Sequence, residues 1–300
     1  MIIQKLMILS RNQHCSLVKI IKLSALQAGF NLDHIALESP SPNELSKFYK
    51  KFIMMEHVEK KNKEIICEGQ NRKVILIKGK KNKLSYAGFS CRNRKNLEQF
   101  KNFIIANRVP FSKFVNNHLE KGAFSIIDPD KNIISFGIRK KTKIAFKNKF
   151  CMPLQHLTFS SRDVEQFEHF YCNMLGFKTT DRVIHKNRSL ATSFLTSNHE
   201  HHTIACFKSN KIGIDHYSYE VSQWENIKIL CDYFSQQNIK IIWGPGRHGP
   251  GNNLFIFIED LDKNWLEFSA ELEIIHDRKV NEWPQSEKTL NLWGKGILRS

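Results

Sequence analysis

The chain lacks any C-x-x-C pair, and its seven cysteines are odd in number and scattered over 300 residues. This usage argues against both a disulfide framework and a thiolate zinc site, and it favours a reducing cytoplasm. Apolar runs are also short. None approaches the roughly 18 residues of a membrane span, and Lys, Arg and Gln interrupt the first segment before it reaches signal-peptide length. We therefore expect a cytoplasmic protein without a membrane partner.

Acidic residues are scarce: 29 Asp and Glu stand against 46 Lys and Arg, for a formal net charge of +17. The lysines lie in short runs beside asparagine, such as "EKKNKE" and "KGKKNKL", which is typical of solvated turns. We therefore predict no nucleic-acid partner, although the positive field could attract an anionic substrate. The hydrophobic content of 41% is ample for one large domain or for two modules with separate cores.

An internal repeat divides the chain. The stretch 32–58, "LDHIALESPSPNELSKFYKKFIMMEHV", has a partner in 154–180, "LQHLTFSSRDVEQFEHFYCNMLGFKTT", and both carry an alternating strand followed by a helix with "FY". A second pair, "FSIIDPDKNIISF" at 124–136 and "FIFIEDLDKNWLEF" at 255–268, shares the turn D-x-D-K-N. Corresponding positions lie 122 and 132 residues apart, which indicates two modules in tandem.

Each module reads as a strand, a helix and several strands, with a second helix late in the module. Short strands of alternating polarity bounded by Gly, Asn and Asp are typical of a half-buried, largely antiparallel sheet with helices on its apolar face. The predicted fold class is therefore α+β. The predicted division is an N-terminal extension 1–25, a first module 26–141, a linker 142–153, a second module 154–275 and a tail 276–300.

Three strands of the second module place a metal-competent residue on the face opposite their apolar residues. Side chains alternate across a strand, so His156 in "QHLTFSS", His216 in "DHYSYEV" and Glu267 in "WLEFSA" each lie on the polar face. Two imidazoles and one carboxylate form the set that binds Fe(II) and leaves coordination positions open. At the corresponding places the first module has His34, Ser85 and Ser135, which predicts a module without a metal site.

The motifs "QHLTFSS", "NHEHHTIACFK", "DHYSYEV" and "GPGRHGPGNNLFIFIEDLDKNWLEF" resemble those of type I extradiol ring-cleavage dioxygenases, which belong to the vicinal oxygen chelate superfamily. The resemblance covers roughly residues 18–275 and is specific in the second module. It implies two tandem βαβββ modules that form a barrel-like cup. It also implies an Fe(II) site, with Mn(II) as the other metal considered, ligated by His156, His216 and Glu267.

The resemblance also assigns roles around that site. His248, which stands 19 residues before Glu267 in a loop of four glycines and two prolines, corresponds to a catalytic histidine that contacts substrate. His202, 14 residues before His216, corresponds to the catalytic histidine beside the oxygen-binding position. The sequence departs from the family at Phe257, a substrate-binding position where the family has a tyrosine whose hydroxyl bonds the substrate oxygen.

The expected activity is an iron-dependent extradiol dioxygenase whose partners are a small aromatic diol and O2, in a homo-oligomer. Two alternatives remain open. A glyoxalase-like isomerase or lyase uses the same modules but draws carboxylates from more than one of them, and Ser135 stands where the first module would supply one. A non-catalytic binding protein would keep the cup without a redox metal. Phe257 favours this second alternative, whereas the intact ligand set argues against it.

Overall fold

The fold, described by a computed structural model over residues 21–113, 118–142, 144–147 and 150–298, is built on two β-sheets. Each half of the chain contributes one sheet. The first sheet has seven strands in the order β2-β3-β4-β1-β5-β7-β6, and they are β1 Asn31–Ser39, β2 His57–Lys61, β3 Glu64–Gly69, β4 Arg72–Lys78, β5 Lys83–Cys91, β6 Phe124–Ile127 and β7 Ile133–Ile138.

The second sheet has nine strands in the order β13-β14-β15-β12-β8-β11-β10-β9-β16. They are β8 Leu154–Ser161, β9 Lys178–Ile184, β10 Leu190–Thr196, β11 Ile204–Lys208, β12 Gly213–Glu220, β13 Ile241–Arg247, β14 Leu254–Glu259, β15 Trp265–Ala270 and β16 Asn281–Pro284. Both sheets are open along the described strands, and β16 brings residues of the predicted tail onto the edge strand β9.

Six α-helices accompany the sheets in the described part of the chain: α1 Ala25–Ala28, α2 Pro42–Phe52, α3 Arg94–Ala106, α4 Val164–His169, α5 Trp224–Gln236 and α6 Glu287–Leu290, and a π-helical turn, Phe170–Met174, continues α4. Their starts follow local chemistry. Pro42 supplies the preset φ of a first helical residue, and Asn93 and Asp163 cap α3 and α4 by accepting hydrogen bonds from backbone N–H groups three residues on. No helix of the described residues is long and apolar enough to cross a membrane.

The α+β class and the two halves are confirmed, but the repeating unit is shorter than the predicted one. The second half contains the order βαβββ twice, first as β8-α4-β9-β10-β11 and then as β12-α5-β13-β14-β15. Within each unit the first and last strands pair in parallel, β8 with β11 and β12 with β15. The first strands of the two units, β8 and β12, pair antiparallel at the centre of the sheet. Residues on these central strands therefore lie side by side in the middle of the second sheet.

The apolar faces of both sheets contribute to one core, which holds the residues predicted to face away from the site, among them Leu157, Phe159, Tyr217 and Phe268. The described cysteines, which exclude the one at position 15, are all free thiols.

The two sequence repeats contact each other across the halves. The hydroxyl of Tyr49, from the "FY" of the first half, donates to Asp260 Oδ2 in the D-x-D-K-N turn of the second half at 2.9 Å. Reciprocally, the hydroxyl of Tyr171 donates to Asp128 Oδ2 in the first half at 3.1 Å. Both tyrosines are fully buried, and the same aspartates also accept from the backbone and side chain of an asparagine four residues on. This pair of contacts joins the two halves symmetrically.

Candidate metal centre

The three predicted ligands meet on three neighbouring strands of the second sheet. His156 on β8, His216 on β12 and Glu267 on β15 each offer one ligand atom, and these atoms lie within 4.8 Å of one another. Glu267 Oε2 is 2.9 Å from His156 Nε2 and 3.3 Å from His216 Nε2. All three residues are buried. Among the described residues this is the single group of three His, Cys, Asp or Glu with such spacing.

Burial and mutual charge prepare these groups for a cation. Burial opposes ionisation of Glu267, but the imidazoles of His156, His216 and His248 outweigh it and hold the pKa of that carboxyl well below its usual range. Burial lowers the pKa of His156, and this outweighs the nearby Glu267 charge. A carboxylate beside neutral imidazole is the protonation state that metal ligands require. A buried carboxylate without a cation is costly, so the donor set fits a divalent metal.

Two polar side chains orient the ligands. A β-bulge in β12 lies between the pairs Ile214–Phe159 and His216–Thr158, and it directs the side chain of Asp215 to His216 Nδ1 at 2.6 Å. An acceptor at Nδ1 leaves the Nε2 lone pair of His216 for the metal. The Nδ2 of Asn253 donates to Glu267 Oε1 at 3.0 Å, which fixes the carboxylate from its other oxygen.

The glycine-rich loop after β13 holds His248 between the site and the C-terminal segment. Its Nε2 lies 3.6 Å from Glu267 Oε1, and its Nδ1 lies 2.5 Å from the carbonyl oxygen of Leu290. The ring stacks on Phe255 with centroids 3.9 Å apart and planes 9° apart. Since a carbonyl only accepts, Nδ1 carries a proton, and Nε2 is the ring nitrogen of His248 that faces the site.

The glycines of this loop are required where other segments approach its backbone closely. A Cβ on Gly249 would lie 2.8 Å from the carbonyl oxygen of Thr289, in the segment that covers the loop. Gly251 has φ of +75°, and a Cβ there would lie 2.9 Å from His201 Nδ1. The loop therefore combines glycine at its contacts with one restricting proline, and it presents His248 to the cavity instead of leaving it in solvent. The first Gly-Pro-Gly of the predicted loop lies within β13.

His202 and Phe257 complete the wall of a cavity of about 30 Å³ that also contains the three ligands and His248. The His202 ring lies 4.2 Å from the His156 ring between centroids, and burial lowers its pKa well below the usual range. Phe257 lies edge-on to His216 at 5.2 Å and stacks on Trp243. The structure thus places every predicted site residue around one cavity, and their roles stay predictions.

Sequence reasoning missed the residues that support this site. It assigned no role to Asp215 or to Asn253, and it offered the tail only as a cover for the site or as a subunit contact, whereas Leu290 and Ile297 of the tail line the cavity. A local signal exists for Asp215, since it is an acidic residue directly before a ligand histidine. No such signal exists for the tail, because its contacts with the loop depend on the three-dimensional path of the chain.

The first half repeats the strands without the ligands, and one predicted correspondence is wrong. Ser135 pairs with Gly88 as Glu267 pairs with Ser218, so the position equivalent to His216 is Tyr86 and not Ser85. Ser85 sits in a β-bulge that matches the bulge of β12 and shifts the alternation by one residue. Ser135 bonds to Ser125 at 2.8 Å, and the Tyr86 hydroxyl donates to Glu64 at 3.2 Å.

The comparisons with known proteins agree with this geometry. Residues 154–268 match the Glyoxalase/Bleomycin resistance protein/Dioxygenase superfamily. Over 293 residues the chain is 22% identical to metapyrocatechase 2 of Cupriavidus necator, with 89% of each chain covered. It is similar to the structure of homoprotocatechuate 2,3-dioxygenase from Arthrobacter globiformis, at 16% identity and a TM-score of 0.76 over 90% of both chains.

It is also similar to the homoprotocatechuate 2,3-dioxygenase of Brevibacterium fuscum in complex with 3,4-dihydroxyphenylacetate, at 18% identity and a TM-score of 0.76 over 93% of both chains. At these identities the solved structures establish the fold. Residues 154–268 thus match the model of the Glyoxalase/Bleomycin resistance protein/Dioxygenase superfamily, and the chain has the two-module fold of these homoprotocatechuate 2,3-dioxygenases.

Proposed function

We propose that this protein is an Fe(II)-dependent extradiol dioxygenase that cleaves a catecholic ring with O2, in the cytoplasm and as a homo-oligomer. One observation carries the proposal: His156, His216 and Glu267 offer a facial set of ligands, and His202 and His248 flank the same cavity. The two non-ligand histidines distinguish this arrangement from a site that only holds a metal.

The metal would be held by His156 Nε2, His216 Nε2 and Glu267. When bound, Fe(II) supplies a Lewis acid for the two adjacent oxygens of the diol and a partner for O2. Mn(II) satisfies the same donors, because carboxylate and imidazole suit both ions. Asp215 and Asn253 would keep the ligand atoms directed at the ion through the hydrogen bonds described above.

The remaining polar groups manage protons. The Nδ1–H of His248 is donated to the Leu290 carbonyl, so Nε2 is the atom that would form a hydrogen bond with a diol oxygen. His202 faces the same space from the segment just before β11, as a buried, neutral imidazole. It could therefore take a proton from the diol or return one to the opened ring.

The wall around the metal centre suggests a ring without a charged substituent close to it. Phe194, Phe207, Trp243, Phe257, Leu290 and Ile297 line the cavity. No cationic side chain of the described residues lines it. A carboxylate one or two carbons from the ring would lose its hydration there without a partner. We propose catechol or an alkylcatechol as the substrate class.

An outer groove that shares Ile297 carries Lys81, Arg162, Lys208, Lys211 and Lys263, and it would attract anionic forms of the diol.

Substrate entry would require the C-terminal segment to shift. A cavity of about 30 Å³ has room for a few water molecules but not for a benzene ring. Leu290 and Ile297 are the cavity residues that come from outside the sheet and its loops. Their displacement, rather than a change in the sheet, is the smaller rearrangement, since β-sheet interiors are closely packed.

The test is anaerobic purification with iron analysis, followed by exposure to catechol and 4-methylcatechol in air while O2 uptake and the yellow ring-opened product are recorded. Iron near one per chain with colour and O2 uptake, all lost in His216→Ala, supports the proposal. Bound metal without O2 uptake would favour a glyoxalase-like lyase, and absence of bound metal would favour a binding protein. Ser209→Ala, a substitution outside the cavity, serves as the matched control.

A further inference from the structure

A buried chain of polar side chains runs from β9 to the candidate base. Asp181 on β9, His201 and His202 are 1%, 0% and 4% exposed, so none of them can exchange its partners for water. His201 Nδ1 lies 2.9 Å from His202 Nδ1, and His201 Nε2 lies 3.2 Å from Asp181 Oδ2. The contact with Asp181 is a close charged contact and not an aligned hydrogen bond, since His201 Nε2 has no hydrogen-bond partner within the described part of the chain.

The carboxylate at the end of this chain is anchored as an anion. Trp283 Nε1 donates to Asp181 Oδ2 at 2.8 Å, and Arg278 Nη1 donates to Oδ1 at 2.9 Å. Burial opposes ionisation, but the contact with His201 and these donors outweigh it and hold the pKa of Asp181 below its usual range. Asp181 therefore accepts hydrogen bonds and donates none.

The order of donors along the chain follows from that anion. Beside a carboxylate, His201 Nε2 must carry a proton, because two lone pairs at 3.2 Å would repel. Arg278 already balances the charge of Asp181, so a second proton on the fully buried His201 would add a cation without a counter-charge. His201 Nδ1 is therefore assigned the lone pair, and His202 Nδ1 the donor, across the 2.9 Å contact. That leaves the lone pair of His202 at Nε2, on the side of the ring opposite to His201. The His202 ring itself lines the cavity.

We propose that Asp181 and His201 are positioning residues that hold His202 as the Nδ1–H tautomer, so that it meets its substrate as a proton acceptor at Nε2. This inference rests on the proposed dioxygenase function and adds the direction of proton transfer. The diol O–H bond breaks as the Nε2–H bond of His202 forms, and the electron pair stays on the diol oxygen. The imidazolium keeps donating through Nδ1 to His201, which Asp181 orients. Arg278 and Trp283, which anchor Asp181, come from the C-terminal segment, so that segment supports the base as well as covering the cavity.

The direct test is a measurement of imidazole tautomers in the full-length chain loaded with Zn(II), which is diamagnetic. Long-range proton–nitrogen correlation spectra of protein labelled with ¹⁵N-histidine distinguish protonated from unprotonated ring nitrogens, and single His→Gln variants assign the signals. We expect protonated Nδ1 and unprotonated Nε2 for His202, and the reverse for His201. A His202 protonated at Nε2, or an imidazolium at His201, would overturn the proposal without reference to activity.

The Asp181→Asn variant tests the consequence. Arg278 and Trp283 both require acceptors at position 181, so an amide there would turn a donor toward His201 or lose a bond, and it would invert the order of protons along the chain. We expect kcat on catechol to fall by about 10²-fold or more, with KM and metal content unchanged. Trp283→Phe removes one donor but keeps the carboxylate, so its tautomers should match the unmodified protein.

The outcomes separate this inference from the proposed function. A fall in kcat for Asp181→Asn with unchanged tautomers would reduce Asp181 to a structural residue and overturn the inference. If Asp181→Asn does not fold, the tautomers of the unmodified protein still decide. Expected tautomers in a protein that cleaves no diol would refute the dioxygenase and leave the tautomer assignment standing.

Discussion

Replacing Phe257 by tyrosine would add one hydroxyl to the cavity wall. Phe257 is 1% exposed and lies on β14, paired directly with Glu267 on β15. Its ring is edge-on to the ring of His216, with centroids 5.2 Å apart. The resemblance to extradiol dioxygenases places a tyrosine here whose hydroxyl bonds the substrate oxygen. The natural chain therefore lacks one hydrogen-bond donor at the point where charge develops on that oxygen.

The size of the effect follows from the dryness of the site. A preorganised donor in a water-excluded site contributes about 3 kcal/mol to the transition state, which corresponds to about 10²-fold in rate. The added oxygen needs about the space of one water molecule, and the cavity of about 30 Å³ provides it. We therefore expect Phe257→Tyr to raise kcat on catechol by about 10²-fold, with a change in the free energy of unfolding below about 1 kcal/mol.

The assay is steady-state O2 uptake on catechol by iron-loaded protein, together with thermal unfolding. Phe207→Tyr is the matched control, because Phe207 lines the same cavity from β11 and its ring lies 6.5 Å from the ring of His216. Phe207→Tyr adds a hydroxyl of the same kind, but from a position that is not predicted to direct it at the substrate oxygen. The kcat of this variant should therefore stay within about threefold of the natural value. An equal gain in both variants, or none in Phe257→Tyr, would refute the argument that this one hydrogen bond is missing.

Tyr49→Phe should lower the free energy of unfolding by about 2 kcal/mol, because a buried carboxylate loses its donor, and Tyr171→Phe should behave alike in the other half; denaturant titration measures both. Tyr233→Phe should change little, because the hydroxyl of this half-buried residue donates to the Lys51 carbonyl at a solvent-exposed place. Glu267→Gln should bind no iron. Added Mn(II) should raise the melting temperature of the natural chain under anaerobic conditions but not that of the variant, and metal retained by the variant would contradict the ligand assignment. Trp243→Arg, on the half-buried edge strand β13, would place a cation in the apolar wall. Steady-state O2 uptake should then show a higher kcat/KM for 3,4-dihydroxyphenylacetate relative to catechol, and an unchanged ratio would count against the apolar wall as the source of selectivity. Burial opposes ionisation of Asp33, but His34 and Arg139 outweigh it and hold the pKa of this carboxyl below its usual range. Asp33 therefore stabilises the fold above about pH 4 and loses this contribution as the pH falls further. In urea titrations the loss of unfolding free energy in Asp33→Asn should become smaller in acid, and a loss independent of pH would disprove this.

Local patterns are sufficient to predict much of the site. Alternation along a strand decides which residues share a face, and the sequence alone therefore places His156, His216 and Glu267 on the polar side of their strands. The second helix predicted late in each module, over "RKNLEQFKNFIIANRV" and "WENIKILCDYFSQQNI", is present as α3 and α5, and each helix ends three residues before the predicted end. Each of these predictions depends on residues within one element, where periodicity is informative.

The same alternation fails where a strand is irregular. One extra residue at a bulge shifts every later side chain to the other face, and the sequence shows no separate mark for it. This is why alternation predicts Ser85 as the counterpart of His216, whereas the strand register makes it Tyr86. Asp215, the bulge residue of the second half, instead supplies the hydrogen bond that orients His216.

Local spacing and composition are enough to establish the tandem repeat, the α+β class, the three candidate ligands and the two histidines near them. Three-dimensional packing was needed to show which distant residues support these groups. Tyr49 meets Asp260 across 211 positions, the carbonyl of Leu290 meets His248 across 42, and His201 joins the base to Asp181 on another strand. Such contacts are set by strand order and by packing of the whole chain, and a one-dimensional pattern carries no record of them.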